Sequence, residues 1–182
     1  MNKFKEELNT IKNDCIREQT KLVLDKVHPD FFTAAASSTG KYHPKYALGE
    51  GGLYRHTKAA VAILNDILNL AMCDNFHEDM KDYMRAAVIL HDCCKSGKDW
   101  DSRYTVHEHP VLASDFVHEV LGECEFSEMV GHLIASHMGQ WNTNFRSRVV
   151  LPVPSTDAER MVHLADYLAS RKHLEFVFEE EE

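Results

Sequence analysis

Residues 78–95 read "EDMKDYMRAAVILHDCCK". The spacing predicts a helix over 78–95 that stops near Gly97. Its most apolar run, "AAVIL" at 86–90, leads straight into His91 and Asp92, followed by Cys93, Cys94 and Lys95. A carboxylate at the end of such a run is costly to bury unless it is paired or bound to metal. Three readings compete for this segment: a thiol site, a zinc clasp, or a His-Asp pair beside which the sulfur is incidental.

Helical patterning extends outward on both sides. Residues 3–27 place Phe4, Leu8, Ile11, Cys15, Leu22 and Val27 on one apolar face, an amphipathic helix with room for one break. Residues 28–52 hold Pro, Gly and Ser and form a long loop, a length that often marks function. Further helices are expected over 56–72, from Pro110 to about 121, over 125–138 and over 157–173. Thr156 followed by Glu159 has the form of a capping box opening the last of these. Residues 146–155, "RSRVVLPVPS", are irregular. With no sustained β alternation and no repeat, the expectation is an all-α, single-domain helical bundle. It divides into an N-terminal helix and loop packed on the core (1–44), the core (45–175) and an acidic tail (176–182).

A chain of 182 residues with 44% apolar and 27% charged residues is long enough for one domain with a substantial core. No apolar run approaches the roughly 20 residues of a membrane span. The charged start lacks the apolar centre of a signal peptide, so a cytoplasmic protein is expected. A net charge of −9 repels a polyphosphate backbone, which disfavours long nucleic acid as a partner and leaves room for a small anion in a local positive pocket. The five cysteines show no CxxC spacing and suit neither a disulfide scaffold nor a zinc finger.

Several histidines and acids lie near helix ends or interrupt apolar faces: His56, His91, Asp92, His107, His109, His137 and Asp166. Asp166, inside "MVHLADYLA", is as costly to bury unpaired as Asp92. Histidine nitrogens with carboxylate oxygens suit Fe, Mn or Zn. Asp92 has two oxygens and can bridge a metal pair, spaced at about 3.5–4 Å in enzymes of phosphoryl chemistry. Lys95 falls about one helical turn after Asp92, on a similar face. Cys93 and Cys94 read as small buried hydrophobes rather than nucleophiles. Trp141 and Tyr104 are candidates for stacking on a base, with core or surface packing an equal alternative.

The ordered set His56, His91-Asp92, His109, His137, Asp166, with the flanking text "GGLYRHT", "VILHDCCK", "HEHPVLAS", "IASHMGQW" and "VHLADYLASR", resembles the HD-domain metal-dependent phosphohydrolases over about residues 45–175. It looks most like the branch of bacterial HD exoribonucleases and the symmetrical dinucleoside-tetraphosphate hydrolases. The resemblance implies two divalent ions, of Fe, Mn, Zn or Mg, one held by His56, His91, Asp92 and Asp166 and the other by Asp92, His109 and His137. It implies a metal-activated hydroxide attacking phosphorus, with Asp92 and Lys95 catalytic and Lys95 on substrate phosphate. His107 competes with His109, and His132 with His137; His132 is expected to pack one turn before the site. Lys95, Arg103, His163 and Arg171 are the expected substrate contacts, with support of the metal ligands from behind as the alternative for His163, and Lys98, Arg146 and Arg148 as further cations near the mouth. In many relatives small or aliphatic residues replace both cysteines.

The expected function is therefore hydrolysis of a phosphoester or phosphoanhydride bond of a small nucleotide, dinucleotide or cyclic nucleotide. The alternatives are a 3′-5′ exoribonuclease, a di-iron HD oxygenase using the same six ligands, and a non-catalytic nucleotide-sensing module.

Overall fold

The computed structural model describes residues 3–37 and 39–174, so the acidic tail lies outside the described residues. Among these, seven α-helices and four short 3-10 turns account for the regular structure, with no strand. The helices are α1 (Lys5–Asn9), α2 (Asp14–Leu24), α3 (Gly52–Leu68), α4 (Glu78–Leu90), α5 (His109–Leu121), α6 (Glu125–Ala135) and α7 (Asp157–Ala169). None is long and apolar enough to cross a membrane.

Helix α4 is the centre of the bundle and packs against α2, α3, α6 and α7. Every residue from Met84 to Leu90 is buried, Arg85 in a pair with Asp82 and the rest apolar. Its end therefore opens into the middle of the molecule. The helix stops at Leu90, short of the expected Lys95. Beyond it the chain tightens into successive turns, with Cys93, Lys95 and Gly97 amides bonded to the Leu90, Asp92 and Cys94 carbonyls. His91 and Asp92 thus sit in the first turn past the helix.

The N-terminal helix breaks once, between Asn9 and Asp14. Asn13 caps the second piece, its side chain accepting from the Cys15 and Ile16 amides. The break resets the helical phase. Phe4, Leu8, Ile11 and Val27 are buried as expected, whereas Cys15 and Leu22 face solvent and Ile16, Thr20 and Val23 take the inner face. One carboxylate, Asp82 of α4, accepts the amides of both Lys12 and Asn13 at the break.

The 28–52 segment contains 3-10 turns at Pro29–Phe32 and Lys45–Ala47 and buries Phe31 and Ala47. It is tied to α3 by bonds from the Ala36 amide to the Ala47 carbonyl and from the Leu53 amide to the Ala34 carbonyl. Gly52 lies so close that a Cβ there would be 2.3 Å from the Ala47 carbonyl oxygen. This tight seat lets α3 begin at Gly52, so His56 lies inside the helix rather than at its start. Helices α6 and α7 end earlier than expected, while the Thr156–Glu159 capping box is formed. Packing of α3 on α7 brings His56 to Asp166.

Candidate metal centre

Six side chains from five segments meet past the end of α4. Asp166 Oδ1 lies 2.9 Å from His56 Nε2 and 3.5 Å from His91 Nε2. Asp92 Oδ2 is 3.3 Å from His91 Nε2. Its other oxygen, Oδ1, is 3.1 Å from His109 Nε2 and 3.9 Å from His137 Nε2. Three overlapping groups are compact enough to hold an ion: His56-His91-Asp92, His91-His137-Asp166 and Asp92-His109-His137. All except Asp166 are essentially inaccessible to solvent.

The local folding of three histidines fixes which nitrogen faces the centre. Nδ1 of His91, His109 and His137 each lies 2.7–2.8 Å from the carbonyl three residues earlier, that of Val88, Val106 and Ile134. A carbonyl only accepts, so each Nδ1 carries a proton, and in the neutral ring Nε2 is left as the lone pair. Nε2 of His109 and Nε2 of His137 then face one another at 3.2 Å with both ring protons committed elsewhere. His91 Nε2 and Asp92 Oδ1 are buried without a hydrogen-bond partner. Such orphans are rare in folded proteins. Converging imidazole lone pairs and carboxylate oxygens fit a divalent cation, and the donor set suits Fe, Mn or Zn.

The electrostatics agree. Burial opposes ionisation of Asp92, yet Lys95 and His91 hold its carboxyl well below the usual range. Burial likewise opposes ionisation of Asp166, and His56 and His91 overcome it. For His91 burial alone would lower the imidazole, but Asp92 and Asp166 raise it to about 10. The two carboxylates thus draw positive charge to His91 Nε2, which either a proton or a bound cation can supply. His137 is pushed down to about 3 by burial and by His91 and His109.

A cavity of about 520 Å³ opens over Asp92, His109, His137 and Asp166 and includes Lys95 and Arg171 in its wall. Lys95 Nζ contacts Asp92 Oδ2 directly. His107 also reaches the wall, but its Nε2 points to the Val149 carbonyl at 3.2 Å and it stays outside the cluster. His132 is exposed on α6, not packed as expected. Arg103 does not line the cavity; it is exposed, with its guanidinium over the Tyr104 ring. His163 sits behind the wall, Nδ1 2.7 Å from the His137 carbonyl and Nε2 3.1 Å from Gln140 Oε1. A side chain on Gly139 would strike that imidazole at 2.3 Å. Lys98 pairs with Glu119, and Arg146 and Arg148 are exposed. Cys93 and Cys94 are free and buried in the core, and the neighbouring Cys94 thiol and burial push Cys93 well up, which disables it as a nucleophile.

Sequence reasoning missed His43, which lines the cavity with its ring 5.3 Å from that of His56. Its Nδ1 is buried without a partner, and burial, then His56 and Lys95, hold the imidazole near 3, so it is neutral. Nothing in "KYHPK" marks it, because a loop has no period from which burial can be read. Tyr42 and Tyr167, also in the wall, were missed for the related reason that aromatic residues are equally at home in a core.

Comparison with curated proteins and with solved structures gives no match. The family model of the HD domain matches residues 40–171, from the loop that carries His43 through the end of α7, and takes in all six clustered side chains. The chain belongs to the HD domain family, the metal-dependent phosphohydrolase superfamily that its ordered histidines and aspartates resemble.

Proposed function

We propose that this protein is a metal-dependent phosphohydrolase that cleaves a phosphoester or phosphoanhydride bond of a small nucleotide, dinucleotide or cyclic nucleotide. The observation that carries the reading is the pair of unprotonated Nε2 atoms of His109 and His137 facing each other beside the partnerless Asp92 Oδ1. Two divalent ions would be held, one by His56, His91, Asp92 and Asp166 and the other by Asp92, His109 and His137. Asp92 offers one oxygen to each side of the cluster. Ions bound there would lower the pKa of water and neutralise phosphate oxygens.

The chain's own residues supply the rest. Lys95 brings an ammonium into the cavity wall beside Asp92, where it stabilises negative charge developing on a phosphate. Arg171 adds a second cation in the same wall. A cavity of about 520 Å³ suits a small ligand, and the net charge of −9 disfavours a long polyanion. The five free cysteines support a reducing, cytoplasmic setting for the activity.

Metal analysis of protein purified without chelators, combined with phosphate release from a nucleotide panel with Mn²⁺ or Fe²⁺, tests the proposal. One to two ions per chain and release from at least one nucleotide are expected, both lost in Asp92→Ala. A full metal load in that variant sinks the ligand assignment. Oxygen consumption without phosphate release transfers the protein to the oxygenase reading, and nucleotide binding without either makes it a sensor.

A further inference from the structure

Away from the metal cluster, the same cavity has a wall of a different kind. Tyr42, Trp141, Tyr167 and Arg171 come from three separate segments and all line it. Trp141 and Tyr167 are stacked, centroids 5.6 Å apart and planes at 19°. The Arg171 guanidinium lies 4.4 Å from the centroid of Tyr167, 5.7 Å from Trp141 and 5.9 Å from Tyr42. Trp141 remains 43% exposed and Tyr42 54%, and both border the cavity.

Single exposed aromatics are ordinary on protein surfaces. Three converging on one cation at the mouth of a phosphate-type site are not accounted for by packing. The wall is also preset. The Lys172 amide bonds the Tyr42 carbonyl at 3.0 Å, and the Tyr46 hydroxyl bonds the Ala169 carbonyl at 3.0 Å, which ties the loop to the end of α7. Among the described residues the Arg171 guanidinium bonds only the Ser170 hydroxyl and meets no carboxylate. Among these residues its N–H edge thus remains open to an anion.

We propose that Trp141, with Tyr42 and Tyr167, forms a nucleobase-stacking subsite, and that Arg171 contacts a phosphate other than the one facing Lys95. The substrate is then a nucleotide carrying a base and at least two phosphates, rather than a simple phosphomonoester. Flat π faces accept any base, and an arginine stacked on aromatic rings keeps its N–H edge free for phosphate oxygens. This inference rests on the phosphohydrolase reading for its reacting phosphate, but the subsite is measured by binding alone.

The probes are α,β-methylene-ADP, which resists hydrolysis, and methylenediphosphonate, its base-free counterpart, titrated against the Mn²⁺-loaded protein. Tryptophan fluorescence should be quenched by the nucleotide and not by the bare diphosphonate. Trp141→Ala should remove the quenching and weaken the nucleotide about tenfold while leaving the diphosphonate unchanged. Trp141→Tyr should restore most of the affinity, and Arg171→Ala should weaken both probes. Equal nucleotide affinity in Trp141→Ala, an equal loss for the diphosphonate, or no recovery in Trp141→Tyr overturns the subsite. Failure of the hydrolase reading shows separately, as an absence of phosphate release from any nucleotide by the parent protein that nevertheless binds the probe.

Discussion

Two buried aspartates on one stretch of chain, Asp82 and Asp92, meet opposite fates. Both are 1% exposed. Asp82, inside α4, is fully engaged. Its Oδ2 accepts from the Lys12 and Asn13 amides at 2.9 and 2.7 Å, and its Oδ1 accepts from Arg85 at 2.7 Å. Arg85 in turn donates to Asn65 at 2.8 Å. Asp92, just past the same helix, has Lys95 on one oxygen and no hydrogen bond on the other, with histidine lone pairs around it. Burial is common to both, so burial does not separate them. What separates a structural carboxylate from a functional one is whether the fold has answered all of its lone pairs.

The sharpest way to break this comparison is to delete each carboxylate in turn. Asp92→Ala should lose every bound ion and drop phosphate release to background, the largest effect expected anywhere in the chain. In chelator-treated protein the same change should shift unfolding by no more than about 1 kcal/mol, since Lys95 can hydrate and His91 can give up its proton. Asp82→Ala should do the reverse. It strands the Arg85 charge and two amides, a loss of about 3–5 kcal/mol in urea unfolding, with metal stoichiometry intact while the protein stays folded. If Asp82→Ala instead empties the metal centre of folded protein, the separation between the two carboxylates is wrong.

Asp92 was legible in the sequence and Asp82 was not, and the reason is physical. A carboxylate directly after "AAVIL" lies where the chain is most apolar, so the cost of burying it marks it. Asp82 sits among charged residues in "EDMKDYMR", where a solvated face is the ordinary reading. Besides Arg85, its partners are two backbone amides at a helix break far away in sequence, which no side-chain pattern reveals. The same break explains why the inner face of α2 was misread at Cys15 and Leu22: phase carries along a helix but not across an interruption. His43 stayed hidden because it lies in a loop. The all-α bundle was readable from the helical period, and Asp92 and Asp166 from the cost of burying charge, because both are local properties. The choice of His56, His91, His109 and His137 came from the resemblance to the HD family, since no local property separates them from their neighbours His107 and His132.

Metal addition sharpens the comparison at a smaller scale. An ion that binds only the folded state stabilises it by mass action, about 2.7 kcal/mol at a hundredfold excess over its dissociation constant. Mn²⁺ should therefore raise the unfolding midpoint of chelator-treated parent protein by several degrees. Asp82→Ala, though less stable, should show the same rise, and Asp92→Ala none. An equal rise in all three would place the ion elsewhere.

His163 stands between the two cases and gives the smallest and most discriminating prediction. Both of its nitrogens are engaged, as the Asp82 oxygens are, yet one holds the carbonyl of His137. Two places were expected for it, against substrate or behind the metal ligands, and its bond to the His137 carbonyl gives it a hold on the turn that carries a clustered histidine. His163→Ala should cost about 1 kcal/mol of stability, the ordinary worth of a hydrogen bond. If the bond to His137 fixes the direction of Nε2, Mn²⁺ affinity should also fall, by about tenfold, as when a group supporting a metal ligand is removed. His163→Gln keeps one donor in reach and should recover part of that affinity. A loss of stability with unchanged affinity would class His163 with Asp82; a loss of both, with recovery in the glutamine variant, extends the metal centre one residue outward into α7.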